Sequence, residues 1–124
     1  MYLFFDTETT GLPKNWKAPV TDLDNWPRMI QIAWILCDAQ GNKIDTQVHI
    51  IKPEGFTIPT EASNVHGITT EMANEQGIPL IEVLHRFNDA VAQTDYIGAH
   101  NISFDEKIMG AELIRKDVPS SFES

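Results

Sequence analysis

Two carboxylates, Asp6 and Glu8, lie two residues apart in the stretch Tyr2-Leu3-Phe4-Phe5-Asp6-Thr7-Glu8-Thr9. The aromatic and aliphatic residues from Tyr2 to Asp6 favour a strand, which the turn-forming Thr9-Thr10-Gly11 and Pro13 bring to an end. Side chains two apart on a strand leave the same face, about 6.6 Å from one another along the backbone. If the strand persists to Glu8, both carboxylates leave the sheet at its carboxyl edge and can converge on one divalent cation or a pair of them. Tyr2 and Phe4 are then expected to continue that face into the core. A solvated pair of acids at the end of a surface strand is the plainer alternative.

A second group of polar residues joins a short strand to a helix: His100-Asn101-Ile102-Ser103-Phe104-Asp105-Glu106. Ser103 and Glu106 fit a capping box, and Asn101 is an equally suitable cap. Either choice puts Asp105 in the first turn, near the sheet edge, where the helix dipole favours a negative charge. Asp105 can therefore join the two strand acids or simply support the helix terminus. His100, at the junction, is read as a structural hydrogen-bonding residue and not as a catalytic base.

The elements that must position these residues follow from periodicity. Met29 to Cys37 is an almost continuous apolar run, suited to a strand covered on both faces or to a buried helix segment; its isoleucines favour the strand. A turn at Asp38 to Asn42 leads into Ile44, Thr46, Val48 and Ile50, which alternate with Asp45, Gln47 and His49, so the two runs form a hairpin. His49 falls on the polar side and is expected to be solvated. Two short helical pieces, Thr60 to His66 and Thr69 to Glu75, are divided at Gly67. Pro79 opens a helix whose Leu80, Leu84, Phe87 and Val91 recur at helical spacing, the strand Tyr96 to Ala99 follows, and a last helix carries Phe104, Ile108 and Ala111 on one side. Strands alternating with helices predict an α/β layered domain. Between Pro13 and Pro27 the periodicity lapses; Trp16 and Trp26 either cover a core edge or belong to a lid or binding segment.

Composition narrows the function. Eighteen acidic residues against nine basic ones give a formal charge of −9 over 124 residues. Such a balance disfavours broad electrostatic binding of a long duplex, although cation-loaded carboxylates can still hold phosphates locally. The single cysteine, Cys37, cannot form an internal disulfide and is expected to behave as a small apolar group, which points to a cytoplasmic setting. No stretch approaches the roughly 20 apolar residues that span a bilayer, so no membrane partner is expected.

Three segments taken together resemble the DEDD superfamily of 3'-to-5' exonucleases, and within it the branch of the proofreading epsilon subunits of bacterial DNA polymerase III. Phe5-Asp6-Thr7-Glu8-Thr9-Thr10-Gly11-Leu12 is similar to the first motif, Ala62 to Thr69 to a middle signature, and His100 to Asp105 to the second motif. The resemblance implies a ribonuclease H-like mixed sheet flanked by helices, and a DEDDh-type hydrolase that releases nucleoside monophosphates from the 3' end of DNA in proofreading or repair. It implies that Asp6, Glu8 and Asp105 coordinate two Mg2+ or Mn2+ ions, with Asp6 as the bridge. Thr9, Thr10 and Gly11 would lie beside the terminal nucleotide, Leu12 would wedge against its base, and His66 and Phe104 would line the base pocket. For His66 the alternative is a turn between two helical pieces, and for Phe104 a place in the helix core.

The third motif of that family supplies a histidine base and a fourth acid, and no histidine follows His100 in this sequence. The resemblance therefore implies that residues 1–124 are one N-terminal, incomplete exonuclease domain, without the C-terminal strand and helices and inactive alone. The expected partners are the 3' end of single-stranded DNA, or RNA, and a replicative polymerase subunit. The reading from a different class is a non-catalytic nucleic-acid or protein-binding module that retains the fold.

Overall fold

In the computed structural model, which describes residues 1–99 and 101–120, strand β1 (Tyr2–Thr9) continues past Asp6 through Glu8. Its alternation places Leu3, Phe5, Thr7 and Thr9 in the core and Tyr2, Phe4, Asp6 and Glu8 on the other face. Strand β2 (Met29–Cys37) pairs antiparallel with β1, setting Phe5 opposite Trp34, Asp6 opposite Ala33 and Glu8 opposite Gln31. The register shifts between Glu8 and Thr9, so the chain leaves the ladder just beyond the two acids. A turn in which Asp38 accepts from the amides of Gln40 and Asn42 leads into β3 (Lys43–Ile50), antiparallel to β2. Strand β4 (Tyr96–Ala99) lies parallel to the first half of β1, giving the order β3-β2-β1-β4.

Four helices complete the described residues: α1 (Thr60–His66), α2 (Thr70–Gln76), α3 (Leu80–Val91) and α4 (Ile102–Arg115). Helix α3 buries the expected row Leu80, Leu84, Phe87 and Val91, with Val83 and Ala90 beside it. Phe87 meets Phe5 and Trp34 edge-on, at centroid distances of 5.1 and 5.7 Å, and so joins α3 to the two central strands. Ile108, Met109, Ala111 and Leu113 bring α4 into the same core. Helix α1 ends where Gly67 adopts a left-handed φ of 79° and donates to the Ser63 carbonyl, allowing the sharp reversal into α2. Ile30, Ile58, Ala62, Ile68 and Ala73 form a smaller apolar cluster beneath these two helices. Among the described residues no helix is long and apolar enough to cross a membrane.

Three expectations change. The face bearing Tyr2 and Phe4 is not core: α3 and α4 lie against its opposite side, Phe4 is 51% exposed, and Tyr2 stacks on the equally outward Tyr96 at 5.2 Å. For the same reason β2 is covered on one face only, with Ile32, Trp34 and Leu36 buried but Ala33, Ile35 and Cys37 half-buried. His49 is not simply solvated. The β3 register turns it toward the helix side, where its ring lies 5.2 Å from Trp34 and its Nε2 pairs with Gln47 Oε1 at 2.7 Å.

Candidate active site

Asp6 and Glu8 stand together on the open face at the end of β1, Asp6 exposed and Glu8 half-buried. Thr7 between them points the other way, toward the first turn of α4. Its hydroxyl and its amide donate to Asp105 Oδ1, at 2.5 and 3.3 Å. Asp105 Oδ2 accepts from the Asn101 amide at 3.2 Å, so the side chain caps its own helix while fastening that helix to β1. The carboxylate is only 2% exposed. Three donors and the positive end of α4 offset the cost of keeping it there. The capping box expected from Ser103 and Glu106 does not form, because the helix begins at Ile102 with Asn101 as its cap and Ser103 already inside.

Asp105 is thus brought against the peptide that links the two strand acids, but its carboxylate is engaged by Thr7 and Asn101. Among the described residues, no three His, Cys, Asp or Glu side chains cluster closely enough to share a metal ion. The donor chemistry fits a hard divalent cation at Asp6 and Glu8, two carboxylates accessible on one face. At Asp105 the fit is partial. An ionised carboxylate has about four acceptor positions; Thr7 takes both on Oδ1, and Asn101 takes one on Oδ2. His100 lies outside the described residues.

Beside the acids is a concavity of about 310 Å3, lined by Thr7, Glu8, Thr9, Gly11, Leu12, Ala62, Val65, His66 and Phe104. Residues from β1, from the following turn, from α1 and from α4 therefore meet in one place. The turn is closed locally: Thr9 Oγ1 donates to the Gly11 carbonyl at 2.8 Å and accepts from the Gly11 amide at 3.3 Å. Leu12 and Val65, 75% and 84% exposed, form apolar lips at the rim. His66 ties α1 to β1. Its Nδ1 accepts from the Ile68 amide at 3.1 Å, which leaves Nε2 to donate to the Thr9 carbonyl at 3.2 Å. Both ring nitrogens are committed to the backbone, so His66 shapes the wall and is not placed to exchange a proton.

Six of the nine residues singled out in the sequence, Glu8, Thr9, Gly11, Leu12, His66 and Phe104, share this concavity. Thr10 does not line it. Its amide donates to the Arg28 carbonyl and its hydroxyl accepts from the Arg28 amide, both at 3.0 Å. Asp6 borders a shallower apolar hollow with Phe4, Ala33 and Ile35, and Asp105 sits behind Thr7.

Several residues at the site escape a reading of the sequence. Thr7, the tether to α4, is identifiable only as the polar residue on the buried side of an alternating strand. Glu112 is 1% exposed and takes hydrogen bonds from Arg28 Nε at 3.0 Å, the Met29 amide at 2.9 Å and Arg115 Nη1 at 2.6 Å. The signal for it is an acid standing four residues beyond Ile108 in an apolar helical row. Arg115 also donates to the Leu23 and Trp26 carbonyls, so this buried group joins α4 to the segment between Pro13 and Pro27.

The fold and site define an α/β domain in which a mixed sheet carries two acids at a strand end beside a concavity, and comparison with known proteins gives its family. The exonuclease family model (RNase_T) matches residues 3–121, and this chain belongs to that family, within the DEDD superfamily of 3'-to-5' exonucleases. It is 34% identical over 118 residues to a DNA polymerase III PolC-type of Streptococcus pyogenes serotype M2 (strain MGAS10270), and 35% identical over 119 residues to that of serotype M5 (strain Manfredo). These alignments take in 95% of this chain but span only 7% of the length of each relative. Among solved structures, Exonuclease I from Methylocaldum szegediense is similar with a TM-score of 0.75 and 27% identity, covering 92% of this chain and 23% of that one. E. coli Exonuclease I in complex with a dT13 oligonucleotide superposes with a TM-score of 0.77 at 24% identity, over 98% of this chain and 25% of that one, a likeness of fold. The sheet and helices are thus the ribonuclease H-like arrangement.

Proposed function

We propose that this chain belongs to a metal-dependent exonuclease that removes nucleoside monophosphates from the 3' end of single-stranded DNA, in the cytoplasm and in the service of proofreading or repair beside a replicative polymerase. The observation that carries the reading is Glu8, which shares a strand face with Asp6 and lines a concavity with apolar lips, Leu12 and Val65, and a backbone-braced wall, Thr9, Gly11 and His66. PolC-type polymerases among the relatives support the polymerase setting, and an Exonuclease I solved with an oligonucleotide supports a single-stranded substrate.

In this reading Asp6 and Glu8 would hold Mg2+ or Mn2+, and Asp105, engaged by Thr7 and Asn101 on the other side of the strand, would have to exchange one of those partners to join them. Bound as a pair, such ions supply an activated water, a clamp on the scissile phosphate and stabilisation of the departing 3' oxygen. The protein's own residues do the positioning. Leu12 and Val65 shield one side of the terminal base from water, while Phe104 offers it an aromatic surface. The Thr9-Gly11 turn and His66 fix the wall against which the sugar rests. Asp105, by bonding Thr7 on both its amide and its hydroxyl, holds the strand so that the flanking acids keep their direction. No histidine follows His100 in these 124 residues, so the chain by itself is proposed to bind the 3' end without efficient turnover.

Calorimetric titration with Mn2+ tests the site: the wild type should bind, and Asp6→Ala should lose the heat. A 3'-labelled single-stranded oligonucleotide then reports activity, and rapid mononucleotide release by this chain would contradict the missing-base argument. Running DNA beside RNA separates the two substrates, since recognition of the 2'-hydroxyl is their physical difference. The engagement of Asp105 by Thr7 and Asn101 favours one second reading, a binding module without catalysis. Equal Mn2+ heats from the wild type and Asp6→Ala would select it.

A further inference from the structure

Trp16 is a large aromatic left 46% exposed in the segment between Pro13 and Pro27, yet it is held in place. Asn15 and Asn25 close the segment reciprocally: the Asn15 amide donates to Asn25 Oδ1 at 2.7 Å, and Asn25 Nδ2 donates to the Asn15 carbonyl at 2.9 Å. Asn25 is itself buried, and the neighbouring Trp26 is buried with its Nε1 donating to the Pro19 carbonyl at 2.9 Å. Lys107 of α4 donates to the Trp16 carbonyl at 3.0 Å. The two tryptophans thus divide the alternatives open in the sequence, Trp26 covering the core and Trp16 standing outside it.

The ring of Trp16 lies 5.4 Å from that of Phe104, tilted by 47°, and Phe104 is a wall of the concavity beside Glu8. The aromatic surface therefore continues outward from the pocket. Trp16 offers an aromatic face immediately outside the one that Phe104 presents to the pocket. Lys14 and Lys17 flank it in sequence, both exposed, and Lys107 is bonded to its backbone. In a chain of formal charge −9 with nine basic residues, two exposed lysines thus fall within two positions of this exposed indole, and Lys107, whose ammonium lies 5.4 Å over the Trp26 ring, reaches the Trp16 carbonyl. Aromatic faces set among cations are the means by which single strands are held without regard to sequence, the rings stacking bases and the cations meeting phosphates.

We infer that Trp16 is a second nucleotide subsite: it stacks the base next to the 3'-terminal one, with Lys14, Lys17 and Lys107 meeting the adjoining phosphates. The inference rests on the exonuclease reading and extends it from the terminal nucleotide to the approaching strand. It makes the chain a binder of at least a dinucleotide end, with affinity that rises from mononucleotide to short oligonucleotide and then levels off.

The test compares dTMP with (dT)4 in Ca2+ buffer, by competition against a 5'-labelled (dT)4 followed by fluorescence anisotropy, with circular dichroism to verify folding. Trp16→Ala should weaken (dT)4 by about 5- to 150-fold, the loss of one base–aromatic stack, and leave dTMP within twofold. Trp16→Phe should restore most of the (dT)4 affinity. The double variant Lys14→Ala/Lys17→Ala should reduce the slope of log affinity against log salt by about 1.4, from two phosphate contacts on a single strand. Unchanged (dT)4 binding by Trp16→Ala, with the wild type binding both probes, would overturn the subsite and leave the exonuclease reading standing. Equal weakening of dTMP and (dT)4 would also overturn it, by assigning Trp16 to the terminal pocket. A wild type that binds neither probe would defeat both.

Discussion

Removing the carboxylate of Glu112 should destabilise the fold more than any other single change of similar size on α4, because two guanidinium groups depend on it. Arg28 and Arg115 approach its Oε1 at 3.0 and 2.6 Å, and the Met29 amide meets Oε2 at 2.9 Å. Withdrawing one member of a buried ion pair costs about 3–5 kcal/mol, since the remaining charge is stranded. Arg28 is a quarter exposed and Arg115 keeps two backbone carbonyls, so water and those carbonyls relieve part of the loss. The lower end of the range, about 3 kcal/mol for Glu112→Ala, is the expected value. Glu112→Gln, which keeps the volume and one acceptor, should lose about 2 kcal/mol. For a domain of this size about 3 kcal/mol corresponds to a fall in Tm of roughly 10–15 °C. Urea unfolding followed by circular dichroism reads the change directly, as a lower midpoint at unchanged slope. The effect reaches the site as well: the Arg28 backbone exchanges two hydrogen bonds with Thr10, so loosening Arg28 should weaken oligonucleotide binding by the folded protein. A loss below about 1 kcal/mol for Glu112→Ala would refute the view that this carboxylate is what pins the Pro13–Pro27 segment to α4.

Two further outcomes follow from local geometry. A methyl group at Gly77 would press into the Ala73 carbonyl, the Lys52 amide at 2.5 Å and Ile51 C at 2.8 Å, all backbone, so Gly77→Ala should cost at least about 2 kcal/mol in urea unfolding; near-neutral behaviour would contradict the packing of α2 against the Ile51–Ile78 bridge. Burial against Trp34 lowers the pKa of His49 from its ordinary 6.5, with Arg86 adding to the shift and Glu82 opposing it. The unfolded chain then binds a proton at higher pH than the folded one, so this contribution to stability is complete above about pH 6.5 and is lost as the pH falls toward the folded value. His49→Gln should flatten the stability profile between pH 7.5 and 5.5, and an unaltered slope would remove His49 as its source.

How far the sequence reaches depends on the range of the interaction involved. Alternation in Tyr2 to Glu8, the hairpin around Asp38 to Asn42, the break at Gly67 and the helical row of Leu80 to Val91 are set by neighbouring residues, and all appear in the structure within a residue or two. That the two strand acids share a face is likewise local, fixed by the strand period. Which face that is could not be read from β1, because Tyr2 and Phe4 are apolar on one side and Leu3 and Phe5 on the other. Only the packing of α3 and α4 chose between them.

The same division runs through the site. Spacing brought Asp6 and Glu8 into consideration and the family resemblance added Thr9, Gly11, Leu12, His66 and Phe104; six of the nine candidates meet in one concavity because α1 is tied to the strand end through His66 and the parallel pairing of β4 with β1 delivers α4 there. Whether Asp105 points at cations or at Thr7, and whether Trp16 or Trp26 is the buried one, depends on contacts between residues some 90 positions apart, such as Thr7 with Asp105 and Lys107 with Trp16. Side-chain type and spacing carry no information about such pairs until the backbone has brought them together.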